Sequence, residues 1–190
     1  MVDLVNAALA NPINRAILQR LPMLGLKDAW LVAGSVYQSY WNALSGRPLT
    51  EGIKDYDIFY FDDADLSYEA EDAAIQRARL VFADLDALID LKNQARVHLW
   101  YRDRFGSDYA PLGNAAEAIG RFQIRCTCVG LRPKSDGSLE LQAPYGLEEL
   151  TRGELVANAH CPGLDGVAAK AESYRKRWPW LTIASLTQES

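Results

Sequence analysis

Asp55 and Asp57, in the run Lys54-Asp55-Tyr56-Asp57-Ile58-Phe59-Tyr60-Phe61-Asp62, are the residues of this sequence whose type and spacing best suit chemistry. Positions two apart on a strand project from one face with α-carbons about 6.5 to 7 Å apart, so the two carboxylates address one point. Two such groups repel unless a cation lies between them. Hard oxygen ligands of this kind suit Mg²⁺, which keeps waters and takes phosphate oxygens as further ligands. An isolated Asp-x-Asp more often flanks a surface turn. Here it follows Gly34-Ser35 by 20 residues. A glycine between a strand and a helix lets a phosphate approach the backbone amides and the positive end of the helix, and the serine hydroxyl adds a donor. Alone, Gly-Ser reads as an ordinary turn with an N-cap. Followed by a strand bearing two carboxylates it is a rarer combination, because each half supplies what the other needs.

The elements that must position these residues can be read from punctuation and periodicity. Asn11-Pro12 caps a helix over Ile13 to Leu21, with Ile17 and Leu21 on one face. Trp30 to Ala33 is a short apolar strand ending at Gly34-Ser35, after which Val36, Tyr40 and Leu44 recur at helical spacing until Gly46. Asp55 to Asp62, rich in aromatic and β-branched residues, is a second strand. Ser67, with Glu69 and Glu71 in the first turn, opens a helix whose Ala74, Ala78, Val81 and Leu85 form the apolar stripe that covers a sheet. Ala87 to Leu91 is a third strand, followed by a helix from about Gln94 to Phe105 that Gly106 ends. Asn114 and Glu117 cap a short helix leading into a strand from Gln123 to Arg132, in which Cys126 and Cys128 point the same way. The turn at Asp136-Gly137 joins that strand to Leu139–Ala143 as a hairpin, and the remainder reads as helical or irregular. The fold class is α/β in the α+β sense: a small mixed sheet flanked by helices, with a C-terminal hairpin and further helices.

Composition bounds the function. The 190 residues, 49% hydrophobic, are enough for one good core and tight for two, so residues 1–190 are expected to form a single domain. With 20 basic against 25 acidic residues and a pI near 5.1, the chain lacks the basic footprint of a nucleic-acid binder, and a small charged ligand fits better. The apolar runs are too short to span a bilayer, and the N-terminus carries Asp3 where a leader would be basic, which together suggest a cytoplasmic protein without a membrane partner. Three cysteines give neither a disulfide framework nor a zinc pattern.

Ala33-Gly34-Ser35 followed by Lys54 to Asp62 resembles the glycine-serine plus paired-aspartate signature of the polymerase-beta-type nucleotidyltransferase superfamily. The blocks Lys92 to Tyr101 and Ala143 to Leu147 resemble those of a narrower, little-characterised family of bacterial nucleotidyltransferase-like proteins, with the likeness running from about Trp30 to Pro179. The resemblance implies a polymerase-beta-like core and a third acidic residue on a neighbouring strand, for which Asp90 in Leu88-Ile89-Asp90-Leu91-Lys92 is the matching position. It implies two Mg²⁺ ions, with Mn²⁺ as a substitute: Asp55 and Asp57 bridge both, and Asp90 serves the ion that activates the acceptor hydroxyl and accepts its proton. Asp90 could instead be salt-bridged, with Lys92 as the neighbour on its face. Lys92 and Arg96 are candidate phosphate contacts, although Arg96 could equally pair on the surface, and His98 is left undecided between packing and catalysis. Arg175-Lys176-Arg177 beside Trp178 and Trp180 reads as a solvated helix end, and Asp62, Asp63 and Asp65 as loop residues.

The expected function is transfer of a nucleoside monophosphate from a nucleoside triphosphate to a hydroxyl of a small molecule or protein. The alternative is a non-catalytic nucleotide sensor or toxin-antitoxin partner that keeps the fold. A sugar-nucleotide transferase using Asp-x-Asp fits poorly, because only about 30 residues precede Gly34. Acceptor, preferred base and oligomeric state are not legible.

Overall fold

The computed structural model describes residues 3–186. Two short helices open it, α1 (Leu4–Ala10) and α2 (Pro12–Arg20), and both are capped as side-chain chemistry demands. The Asp3 carboxylate accepts from the Asn6 amide, and the Asn11 amide oxygen accepts from the Ile13 and Asn14 amides with Pro12 in the first turn. Strand β1 (Trp30–Val32) runs directly into helix α3 (Gly34–Leu44). Strand β2 (Tyr56–Tyr60), helix α4 (Tyr68–Val81), strand β3 (Ile89–Asn93) and helix α5 (Val97–Phe105) follow. The Ser67 hydroxyl caps α4 by accepting from the Ala70 amide, and Gly106, at φ 73°, ends α5 in the left-handed conformation that glycine adopts freely. A short helix α6 (Ala115–Ile119) precedes the hairpin β4 (Gly130–Pro133) and β5 (Leu139–Gln142). The chain continues through α7 (Glu148–Arg152), β6 (Glu154–Val156), α8 (Val167–Arg177) and β7 (Thr182–Ser185).

The main sheet has the order β3-β2-β1-β4-β5. Its β2–β3 pair is parallel and the other three pairs are antiparallel, so it is mixed as expected. Side chains alternate between two faces. On one, Leu31, Ile58, Leu91 and Leu131 enter the large core with the buried sides of α1, α2, α3 and α4. On the other, Trp30 and Val32 meet Ala115 and Ile119 of α6 in a smaller cluster, with Phe59 packed at its edge. This second face also carries Asp57. The helix α8 joins the large core through Tyr174 and Trp178, which with Tyr37 and Trp41 form a group of rings at centroid distances of 4.8 to 6.3 Å. The Tyr37 and Tyr174 hydroxyls share a hydrogen bond of 2.5 Å, and Trp178 Nε1 donates to Asn42 Oδ1.

Four expectations are corrected. The strand expected over Gln123–Arg132 is broken: Arg125–Thr127 is a turn of 3-10 helix, and only Gly130–Pro133 pairs with the sheet. The Ile124 carbonyl accepts from both the Thr127 amide and its hydroxyl, which closes the turn. Cys126 and Cys128 are buried and unpaired by disulfide, yet they do not point the same way: the first enters the large core, the second the small cluster. The third strand starts at Ile89, two residues later than Ala87, and extends to Asn93. The C-terminal part contains a second sheet, the parallel pair β6–β7, with a shift in register at Val156.

Candidate functional site

The site is built where β1 hands over to α3 beside β2. Val32 pairs with Asp57 across the antiparallel β1–β2 ladder, and α3 starts two residues after Val32. The turn is forced. Ala33 adopts φ 58°, ψ −130°, a conformation an L-residue holds only when its surroundings over-determine it, at a cost of about 1 to 3 kcal/mol. Its amide is tied to the Val129 carbonyl while its own carbonyl accepts from Val36 and Tyr37, so strand and helix both fix it. The free amides of the first turn of α3 therefore emerge beside Asp57. Ser35 is fully buried: its carbonyl accepts from Asn14 Nδ2 and Ser39 Oγ, and its hydroxyl has no partner among the described residues.

Gly34 makes room for Gln38. A Cβ there would lie 2.8 Å from Gln38 Nε2. Gln38 cannot swing away freely, because its Oε1 accepts from Arg177 Nη1 at 2.8 Å, an arrangement that also turns the amide nitrogen toward Gly34. Arg177 in turn donates to the Gly52 carbonyl and lies over the Trp178 ring at 4.4 Å.

Asp55 sits just before β2 and Asp57 within it, both partly buried. The parallel β2–β3 register sets Asp57 beside Asp90 and Phe59 beside Lys92, so all four side chains share the second face. Burial pushes the Asp57 carboxyl up to about 6, and the neighbouring Asp55 charge adds to this; Lys92 opposes it, Asp90 adds a further increment, and Lys170 of α8 opposes. Asp90 is ion-paired to Lys92. Among the described residues no group of three or more His, Cys, Asp or Glu side chains is gathered around one point.

The profile of a nucleotidyltransferase family matches residues 19–183, from the end of α2 to β7. The chain belongs to this nucleotidyltransferase family. Comparison with curated proteins gave no match. Among solved structures, an NMR structure described as revealing a CCA-adding enzyme head domain is 28% identical, with a TM-score of 0.74 over 96% of this chain and 94% of the other. A tRNA-processing enzyme in an apo form is 14% identical with a TM-score of 0.51, a likeness of fold; this chain spans 44% of its length.

Within this nucleotidyltransferase fold the remaining candidates separate. Arg96 is committed elsewhere: its guanidinium donates to the Leu66 carbonyl and forms an ion pair with Glu71 of α4, the two side chains being 12% and 15% exposed. It is paired, but in a largely buried position and not on the surface, and it is a staple between the end of β3 and the start of α4. Asn93 is a second staple, exchanging hydrogen bonds with both the amide and the carbonyl of Asp62. That holds Asp62 at the end of β2, while Asp63 and Asp65 are exposed loop residues. His98 is partly buried and its Nδ1 has no partner among the described residues. In the Ala143–Leu147 block, Tyr145 donates to the Gly120 carbonyl and Asn158 Oδ1, which anchors the segment after β5 to α6.

Sequence reasoning missed Gln38, Lys170 and Arg177. Lys170, Tyr174 and Arg177 recur at i, i+4 and i+7 along α8, a signal of one shared face, and that face lies against α3 and the site. Within the basic run Arg175, paired with Glu172 of its own helix, and the exposed Lys176 behave as a helix end, whereas Arg177 turns inward.

Proposed function

We propose that the chain transfers a nucleoside monophosphate from a nucleoside triphosphate to an acceptor hydroxyl, with a divalent cation, Mg²⁺ or Mn²⁺, held by Asp55 and Asp57. The observation that carries this reading is the juxtaposition of the Gly34-Ser35 helix start with Asp57 through the Val32–Asp57 register. Family membership and the 28% identical CCA-adding enzyme head domain support it. The donor set fits a hard cation: two adjacent carboxylates, one of them held near a pKa of 6 by burial and by the other, are under-compensated at neutral pH. Such a cation supplies neutralisation of charge developing on the α-phosphoryl group.

The protein's own part is positioning. The first-turn amides of α3 and the Gln38 amide receive the β- and γ-phosphates. The acceptor oxygen bonds to the α-phosphorus as the bond from that phosphorus to the β-phosphate oxygen breaks, and pyrophosphate departs with the electron pair. Asp90 takes the hydroxyl proton, which requires Lys92 to exchange its carboxylate for a phosphate oxygen. The Asp90–Lys92 ion pair is also the observation that favours the second reading, a protein that binds nucleotide without turning it over.

Incubation with each of the four nucleoside triphosphates and Mg²⁺ or Mn²⁺, reading pyrophosphate release and thermal shift, tests the two. Asp57→Asn is expected to reduce release by about a hundredfold or more, with the fold retained. Binding with no release by the wild type, with hydroxyl acceptors also supplied, would favour the second reading instead.

A further inference from the structure

Beyond Lys92 the second sheet face opens into a cleft of about 510 Å³ that nucleotidyl transfer as described leaves without a task. Phe59 and Lys92 form its near end, two positions along β2 and β3 from Asp57 and Asp90 and on the same face, so their α-carbons lie about 6.5 to 7 Å from those of the two aspartates. Lys170 lines it and also acts on Asp57. The far wall comes from α5 and the segments around α6, with Trp100, Tyr101 and Arg121. The ring of Tyr101 stands 4.7 Å from that of Phe105 and 4.6 Å from that of Tyr109, and the Arg121 guanidinium lies over Tyr109 at 4.8 Å.

Two properties define what such a space takes. Its charged lining is Lys92, Arg104, Arg121 and Lys170 against Asp165; with Lys92 paired to Asp90 and Lys170 set against Asp57, Arg104 and Arg121 give the far wall its positive charge, in a chain of net charge −5. The same walls offer aromatic faces, and cations beside such faces suit a planar ring carrying an anionic group. Direction adds a third constraint. The acceptor oxygen approaches the α-phosphorus opposite the departing pyrophosphate. With the β- and γ-phosphates at the start of α3, the opposite direction along the sheet face runs from Asp57 toward Phe59 and Lys92, because β1 and β2 are antiparallel with Trp30 beside Phe59.

We infer that this cleft is the acceptor subsite, and that the acceptor carries a planar ring next to a phosphate, as a nucleotide or the end of an RNA strand does. This rests on the nucleotidyl-transfer reading for the direction of attack, while the chemistry of the cleft stands independently of it. Arg121 and Arg104 hold the acceptor's phosphate, Tyr101 and Trp100 its ring, and its hydroxyl lies at the Asp57–Asp90 edge.

The test uses the full chain and calorimetry with AMP and a 5′-phosphorylated ribotrinucleotide, with adenosine and ribose 5-phosphate as half-ligands. The expected result is that at least one of the two probes binds, that both half-ligands bind about tenfold more weakly or worse, and that Arg121→Gln and the exposed Arg104→Glu each weaken the probe by about tenfold while the thermal shift from Mg²⁺-nucleoside triphosphate persists. Equal affinity for the two probes points to a small nucleotide, and a preference for the trinucleotide to an RNA end. Absence of binding by both probes, or affinity untouched in both variants, overturns the proposal. So does an equal loss of triphosphate binding in the variants, since the cleft would then hold the donor nucleoside. A wild type that binds the probes through Arg121 yet releases no pyrophosphate from any triphosphate counts against nucleotidyl transfer and in favour of the ligand chemistry of the cleft.

Discussion

Asp57 carries the electrostatic tension of the site. Its pKa rises from the ordinary 3.8 to about 6, first through burial and then through Asp55. A carboxyl whose folded value lies above its unfolded one binds more protons in the native state between those two values. The metal-free protein therefore loses stability as pH climbs from about 4 to about 6, and this contribution is flat above that window. Thermal unfolding in a chelator across this range should show the decline, and Asp57→Asn should flatten it; an identical slope in both proteins would refute the assignment. At neutral pH, Mg²⁺ is expected to raise the melting temperature of the wild type and to do so far less in D57N. Gly34 makes a separate point at the same scale. Gly34→Ala improves helix propensity but pushes Gln38 Nε2 from its place, so triphosphate affinity should fall by about tenfold with little change in melting temperature. Adding Gln38→Ala to Gly34→Ala should cause little further loss, because the contact has already gone.

Helix α8 shows what an element can do that its sequence does not announce. Its mean character is polar, and its last turn reads as a run of cations. One side nevertheless buries Ala171 in the core and Tyr174 against α3, and in doing so sets Lys170 toward Asp57 and Arg177 on Gln38. Truncating Trp178, 1% exposed just after the helix, to alanine should cost about 4 kcal/mol and lower the melting temperature by roughly 10 °C. Arg177→Met should change stability less and weaken triphosphate binding more, because it frees the Gln38 amide. The start of α4 offers the converse. Arg96→Leu leaves the partly buried Glu71 with only the Asn93 amide and should destabilise by about 3 kcal/mol in urea unfolding, while the folded protein keeps its triphosphate affinity. A selective loss of affinity would return Arg96 to the phosphate site.

At the scale of the molecule, the sheet separates stability from chemistry. One face seals the core with Leu31, Ile58, Leu91 and Leu131, and the other leaves Asp57, Asp90, Phe59 and Lys92 between α6, α5 and α8. Beyond the small cluster that Trp30 and Val32 form with α6, the open face has no core to seal, which leaves it free to carry charge. The Phe59 and Phe122 rings, 5.7 Å apart, mark where the small cluster under α6 gives way to the cleft. Among the described residues no helix is long and apolar enough to cross a membrane.

Local rules made much of this legible in advance. Asn11, Ser67, Asn114 and Gly106 mark helix ends because capping depends on one side chain or one φ angle, and each acts where it was read. The strand before Gly34-Ser35 follows from a short apolar run, and the strand carrying Asp57 from its aromatic and β-branched residues. The interrupted strand at Arg125–Thr127 escaped because burial on both sides of the sheet makes a turn and a strand equally apolar in sequence. What only the tertiary structure decided is pairing between residues far apart in the chain: Val32 with Asp57, Arg96 with Glu71, and Arg177 with Gln38 across 139 positions. Periodicity fixes the face of an element on which a side chain stands. Which other element that face meets depends on the register and packing of the whole chain, and there the sequence is silent.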